Sequence, residues 1–257
     1  MQIIFIAAIL LGIIFIAFSI RFTWWWRPFY NGFAVFMYHH VRPAYQNKRG
    51  EDLSFAITPE TFEEHVKYLI TKGYNFIGLE DLSSNNIKKP AMLTFDDGYV
   101  DNYKFVFPIL KKYNIKAVIF LIAGKIGIDP ELMTWEQVYE MQNSGLVSFG
   151  SHGLTHANIR RMEASSAIKE LKESKHILET KLGHSISAFC YPLGAGGTDE
   201  RVRKLVFDAG YLFDFSTRRG LNPWPLKSDR TIYRAFPRGK ETKLDFILQT
   251  HLGRSKL

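Results

Sequence analysis

One cysteine, Cys190, stands among 257 residues, so the chain has no internal disulfide and no metal site built from several thiolates. Low-complexity tracts and repeats of fixed period are absent too, which excludes a disordered chain and a solenoid. Lys and Arg outnumber Asp and Glu, 33 to 25, for a formal charge of +8. Yet no basic run is longer than a pair, and the dense stripe that nucleic acid requires is missing. The excess reads as a solvated face whose use is an anionic membrane surface, with no nucleic-acid partner. No candidate strand is followed by a Gly-rich phosphate loop, which leaves an open doubly wound sheet without support.

What is present begins with residues 3–20, IIFIAAILLGIIFIAFSI, which carry no charge and at helical rise span about 27 Å, close to the thickness of bilayer hydrocarbon. Trp24, Trp25 and Trp26, flanked by Arg21 and Arg27, resemble an interfacial belt, and no basic residue precedes the apolar run as a signal peptide requires. Ala17 and Ser19 form a weak small-x-small cleavage pattern. The expected organisation is residues 1–22 as a transmembrane anchor or uncleaved signal, 23–32 as an aromatic and basic linker, and 33–257 as one globular domain. Single-pass attachment to the cell membrane follows. The basic residues beyond the helix (Arg21, Arg27, Arg42, Lys48, Arg49) argue for a cytoplasmic domain, but large domains translocate largely regardless of charge. An extracytoplasmic domain is expected, with the cytoplasmic face as the alternative.

From residue 33 short apolar runs alternate with helical patterns, the signature of βα units and a largely parallel sheet. Candidate strands are residues 33–38, 75–79, 91–95, 117–122, 146–150, 188–192 and 212–217, and candidate helices 59–72, 101–113, 135–144, 164–182 and 199–209. Seven such units in one domain predict a closed or nearly closed β/α barrel, whose strand ends should converge on one mouth. Those ends deliver Asp96 and Asp97, then Ser151, His152 and His156, then Tyr191, Pro192 and Gly194, and finally His39 and His40. Two imidazoles with one carboxylate suit zinc, cobalt, nickel or iron, leaving positions open for water and substrate. A neighbouring carboxylate can take the proton of a metal-acidified water as it attacks a carbonyl carbon. The chemistry is hydrolysis of an amide or ester.

TFDDG at 94–98, SHGLTH at 151–156 and FCYPLG at 189–194, in that order, resemble the first three motifs of the polysaccharide deacetylases, the NodB-homology or carbohydrate esterase type 4 family. Their fold is a distorted (β/α)7 barrel, here preceded by one N-terminal transmembrane helix, and the resemblance covers roughly residues 33–240. FMYHHVRP at 36–43 is similar to the opening strand of the branch acting on poly-N-acetylglucosamine. Carried over by position, the resemblance implies Asp96 as general base and Asp97, His152 and His156 as ligands of a divalent metal, zinc first. The backbone N–H of Tyr191 is implied as an oxyanion donor, the Pro192 loop with Gly194 as a wall of the sugar groove, and His39 as a neighbour of the reacting atoms.

The departures carry as much information. The arginine that opens the family's third motif, where it tethers the base, is replaced by Cys190, and Arg234 in YRAFPRG is the first candidate to orient Asp96, with Arg238 second. Leu193 stands where an aromatic is common, and the family's late histidine has no counterpart except His251 on a terminal helix. Cys190 reads as a small buried hydrophobe, His65, His176 and His184 as surface residues, Trp135 as a packing residue, and Trp224 as either packing or sugar-binding. The implied function is a metal-dependent N-deacetylase acting on an N-acetylated glycan at the cell surface. The alternatives are a deacylase or deformylase of a lipid-linked sugar, and a silent carbohydrate-binding relative.

Overall fold

Alternation with a period of two sorts the strand side chains into two buried layers. In the computed structural model, whose described residues are 2–22, 32–44, 53–84, 86–226 and 231–254, the chain runs through helix α1 (Gln2–Phe22), strands β1 (Gly32–Tyr38), β2 (His40–Val41) and β3 (Ala56–Ile57), helix α2 (Pro59–Thr71), and strands β4 (Asn75–Phe76) and β5 (Pro90–Phe95). It continues through α3 (Phe107–Tyr113), β6 (Ala117–Leu121), α4 (Trp135–Asn143), β7 (Val147–Ser151), α5 (Ala164–Leu182), β8 (Ala188–Cys190), α6 (Glu200–Asp208), β9 (Phe213–Phe215), β10 (Asn222–Pro223) and α7 (Lys243–Leu252). Strands β1, β5, β6, β7, β8 and β9 pair in that order, all parallel. Phe36, Leu93 and Ile119 join the core beneath the helices, whereas Val35, Met92, Val118 and Cys190 belong to a second cluster on the other face. Burial on both faces explains why these strands read as near-continuous apolar runs.

The two ends of this sheet are joined by residues 231–236, which form no ladder. Ile232 bridges Phe215 of β9, and Ala235 bridges Phe36 of β1, with Met37 N–H donating to Ala235 O (2.8 Å) and Ser216 N–H to Ile232 O (3.0 Å). The result is a curled α/β sheet whose last stave is held by single bridges. Side chains do the work a ladder would otherwise do. Asn222, on β10, donates to Phe33 O (3.3 Å) and Tyr233 O (2.9 Å) and accepts from Tyr233 N–H (2.8 Å).

Two sequence expectations shift here. The run 75–79 contributes only the two residues of β4, which pair with the beginning of β5, and the seventh stave is 231–236, the short segment TIYRAF, which meets its neighbours only through single bridges. The helix expected over 101–113 is an ordinary α-helix only from Phe107, because Asn102–Val106 forms a π-helical turn, a common local adjustment beside functional sites. Helix caps follow the sequence more closely. Thr58 accepts from Thr61 N–H ahead of Pro59, Thr242 and Asp245 cap each other at the start of α7, and Gly183 ends α5 in the left-handed region.

His65 is not a surface residue. It is buried, stacked on Phe246 at 3.8 Å and bonded through Nδ1 to the Tyr38 hydroxyl, and burial lowers its pKa to about 3. Trp224 donates to Ile87 O and packs on Phe33, at the start of β1 and away from the strand mouths. At the amino terminus α1 carries exposed Phe5, Leu11, Ile14 and Ile16. Among the described residues no helix is long and apolar enough to cross a membrane. The expected linker, 23–32, lies almost wholly outside the described residues.

Asn222→Ala strips three backbone groups of the closing seam of their partners and is expected to destabilise the domain by about 1–3 kcal/mol, read as a lower urea midpoint with unchanged slope.

Candidate active site

The carboxyl ends of β1, β5, β7 and β8 open into a cleft of about 650 Å³ lined by His39, Asp96, Asp97, Tyr99, His152 and His156 among others. Adjacent aspartates part ways because the strand ends between them. Asp96 keeps the parity of Met92 and Thr94 and stays buried on the inner face, whereas Asp97 takes a φ of 72°, uncommon for a residue with a side chain, and swings toward the mouth. Gly98 follows at φ 82°, with Leu121 Cδ2 only 2.7 Å from where a Cβ would stand. No other residue fits there without displacement.

Asp96 is gripped by Arg234. The guanidinium reaches Oδ1 at 2.7 Å and Oδ2 at 2.9 Å, and its remaining donors go to Ser216 O (3.0 Å), Thr94 Oγ1 (3.2 Å) and Cys190 Sγ (3.0 Å). Arg234 has no exposure and Asp96 only 2%. Burial works to raise the Asp96 pKa, but the guanidinium beside it prevails and holds the carboxyl well below the ordinary range. Arg234 thus approaches Asp96 from the last stave, over the small side chain of Cys190. His39 Nε2 lies 3.9 Å from Asp96 Oδ2, its Nδ1 is buried without a partner, and burial lowers its pKa.

Asp97 Oδ1 stands 3.5 Å from His152 Nε2 and 3.3 Å from His156 Nε2. His152 Nδ1 is 2.9 Å from Cys190 O. A carbonyl only accepts, so Nδ1 carries a proton and it is Nε2 that points at Asp97, ready to offer a lone pair to a cation. Burial, reinforced by His152, lowers the pKa of His156. Asp97 Oδ1 itself is buried with no hydrogen-bond partner. Three acceptors aimed at one another need a cation between them, and this donor set, two nitrogens and one oxygen, suits a divalent metal. A second grouping of Asp96, His152 and Cys190 lies as close, but Asp96 is spent on Arg234 and burial pushes the Cys190 thiol up, so it stays protonated and is a poor ligand.

Sequence reasoning missed the residue that shapes the loop between the two histidines. Glu170 of α5, itself buried, accepts from Leu154 N–H (3.0 Å), Thr155 N–H (2.7 Å) and the Thr155 hydroxyl (2.9 Å) through Oε1. Gly153 at φ 82° and His156 at φ 69° are the strained corners of the turn so held. Glu170 sits in an ordinary amphipathic helix pattern, and only its burial marks it.

Other expectations move. Tyr191 N–H donates to Phe215 O (3.1 Å) and its hydroxyl to Asp214 (2.9 Å), so the oxyanion role expected of that N–H does not fit: strand pairing has consumed it. Within the same turn Gly194 N–H goes to Tyr191 O and Ala195 N–H to Pro192 O; Leu193, at φ 58°, takes part in none of these bonds. Leu193 and Gly194 line the cleft, while Pro192 is buried behind them. His40 also lines it but is held by Asp101 at 2.6 Å. His251 bonds the Tyr68 hydroxyl and is no part of the cleft lining.

With this geometry in place, the comparisons are decisive. The polysaccharide deacetylase family model matches residues 83–213. The chain belongs to that family. It is 31% identical over 192 residues to the YxkH protein of Bacillus subtilis (strain 168), covering 72% of this chain and 64% of that one, so it spans somewhat less than two thirds of that relative. It is 26% identical over 211 residues to a poly-beta-1,6-N-acetyl-D-glucosamine N-deacetylase of Staphylococcus aureus (strain MRSA252), covering 72% of each. Among solved structures, a polysaccharide deacetylase of Bacillus cereus superposes with a TM-score of 0.77 at 25% identity over 85% of this chain and 69% of that one. The Streptococcus pyogenes deacetylase PplD, solved with acetate, gives 0.74 at 25% identity over 86% and 98%. In this family Asp96, Asp97, His152 and His156 fall within the matched region and Arg234 beyond it.

Arg234→Met is expected to cost about 3–5 kcal/mol at pH 7, because it leaves a buried carboxylate unpaired. The folded-state pKa of Asp96 is depressed, so the stability contributed by the pair is present above the unfolded carboxylate pKa of about 3.9 and is lost as pH falls toward the folded value. The gap between wild type and variant should therefore narrow below about pH 4. For Glu170, the Ala variant should weaken zinc binding about 10–100-fold in a competition titration, while Glu170→Gln, which keeps the acceptor oxygen, should retain most of it.

Proposed function

We propose that this chain is a metal-dependent hydrolase that removes N-acetyl groups from the amino sugars of a cell-surface polysaccharide. The observation that carries the reading is the division of labour between adjacent carboxylates: Asp96 buried and clamped by Arg234, Asp97 with its Oδ1 buried, without a hydrogen-bond partner and facing two imidazole nitrogens. The likeness to the staphylococcal poly-N-acetylglucosamine deacetylase supports the substrate class.

Asp97, His152 and His156 would hold the metal, zinc by donor set, with cobalt, nickel or iron as alternatives. A divalent metal so held supplies Lewis acidity toward a carbonyl oxygen and acidifies water. The chain's own residues do the rest. Asp96 accepts the proton of the attacking water, and the two hydrogen bonds from Arg234 fix its orientation while lowering its basicity. His39, beside Asp96, is placed to relay the proton that Asp96 takes from the water to the leaving amine nitrogen. Glu170 keeps the His156 corner in place, and Leu193 forms the outer wall of the sugar site.

The apolar side chains that α1 exposes support a membrane anchor, since a helix of 21 residues is about 32 Å long at 1.5 Å per residue. In this reading the enzyme sits on the cell membrane with its domain on the extracytoplasmic side, where the polymer is. Basic residues after the helix favour the second reading, a lipid-linked sugar at the cytoplasmic face.

The test is acetate release from a hexamer of β-1,6-linked N-acetylglucosamine by the full-length chain in detergent. Release should vanish on chelation, return with zinc, cobalt or nickel, and fall about 10²–10⁴-fold in Asp96→Asn. No release in any metal, with zinc still bound, would sink the polymer reading in favour of the lipid-linked one.

A further inference from the structure

The acids and bases around the cleft do not balance in the way a purely neutral glycan requires. Of the carboxylates that line it, Asp96 is matched by Arg234, Asp97 faces the histidine pair, and Glu131 has a partner of its own, as does Arg42 across the lining. Two further guanidiniums remain, Arg219 and Arg238. Among the described residues neither has an ion pair, and Arg219 is exposed.

Arg238 is held ready. Its guanidinium lies 5.2 Å from the ring of Phe236, which is itself 5.2 Å from Phe55 and 5.9 Å from His39. One aromatic ring therefore separates it from the reacting centre, about the scale of one neighbouring sugar. Its Nε is buried without a partner, a state that buried donors rarely keep. The nearest acid in sequence, Glu241, is engaged elsewhere than the guanidinium: its Oε2 accepts from the Arg238 main-chain N–H (2.9 Å) and from the Gln249 side-chain Nε2 (2.6 Å).

We propose that Arg219 and Arg238 form an anion-binding subsite for a carboxylate or phosphodiester on the sugar next to the one being deacetylated, and that the substrate is an anionic N-acetylated glycan. The inference rests on the deacetylase reading above for its second sugar. Planar guanidiniums suit both anions through paired hydrogen bonds. A freshly deacetylated neighbour, carrying a cationic amine, meets like charge there and is disfavoured, so amines left in the polymer are spaced apart.

Binding distinguishes the subsite from the chemistry. Titration of the full-length chain in detergent with a hexasaccharide of alternating N-acetylglucosamine and glucuronate should give an affinity at least tenfold tighter than its carboxyl-reduced counterpart at low salt. The advantage should shrink at 0.5 M salt, where charges are screened over a few ångströms, and disappear in the Arg219→Gln/Arg238→Gln double variant. A second arm compares N-acetylglucosamine 1-phosphate with N-acetylglucosamine, and the larger of the two discriminations names the anion. Equal affinities for charged and reduced hexasaccharide together with no discrimination in the phosphate arm, or discrimination that survives the double variant, would overturn the proposal. Failure of acetate release alongside intact discrimination would instead overturn the deacetylase reading.

Discussion

A guanidinium with no access to water meets a buried carboxylate at 2.7 and 2.9 Å, and both the closure of the sheet and the arrangement of the site depend on that pair. Arg234 sits on the stave that joins β9 to β1 only by single bridges. Its hydrogen bonds to Ser216 O and Thr94 Oγ1 fasten that stave to the rest of the sheet, so the group that orients Asp96 also joins the two ends of the curled sheet. Burying two charges is costly unless every donor and lone pair is used. Here the guanidinium finds acceptors in Asp96, Ser216, Thr94 and the sulfur of Cys190, which makes the pair tolerable and its geometry single-valued.

The second constraint is conformational. Asp97, Gly98, Gly153, His156 and Leu193 all have φ between 58° and 82°, and all stand at the ends of the strands that deliver the site. Strain of this kind persists only where surrounding contacts over-determine it. At Gly98 the side chains of Leu121 and Ile126 leave no room for a Cβ; at the histidine loop Glu170 collects three donors. Positive φ turns each backbone sharply enough to aim consecutive residues in different directions, which is how one short segment serves two chemical ends.

Charge then sets what the cleft accepts. Arg234 lies behind Asp96 and a cation fits between Asp97 and the histidines, so the acidic residues at the centre are already matched. Beyond them the cleft wall is aromatic and cationic, with Phe55, Phe236, Arg238 and Arg219.

The sequence by itself determined the alternation of βα units, the start of α2 at Pro59, the convergence of strand ends and the cluster of Asp96, Asp97, His152 and His156, because these depend on local periodicity, turn chemistry and short spacings. It also singled out Arg234, since a missing arginine at Cys190 demanded a replacement. Only the tertiary structure decided that the seventh stave is 231–236 instead of 75–79, that Tyr191 N–H is consumed by Phe215, that His65 is buried against Phe246, and that Glu170 reaches a loop 15 residues away. Each of these is a pairing between segments distant in sequence, or a hydrogen bond whose acceptor cannot be read from the donor's neighbours. The chain specifies its elements locally, and it specifies their partners only once the sheet has curled.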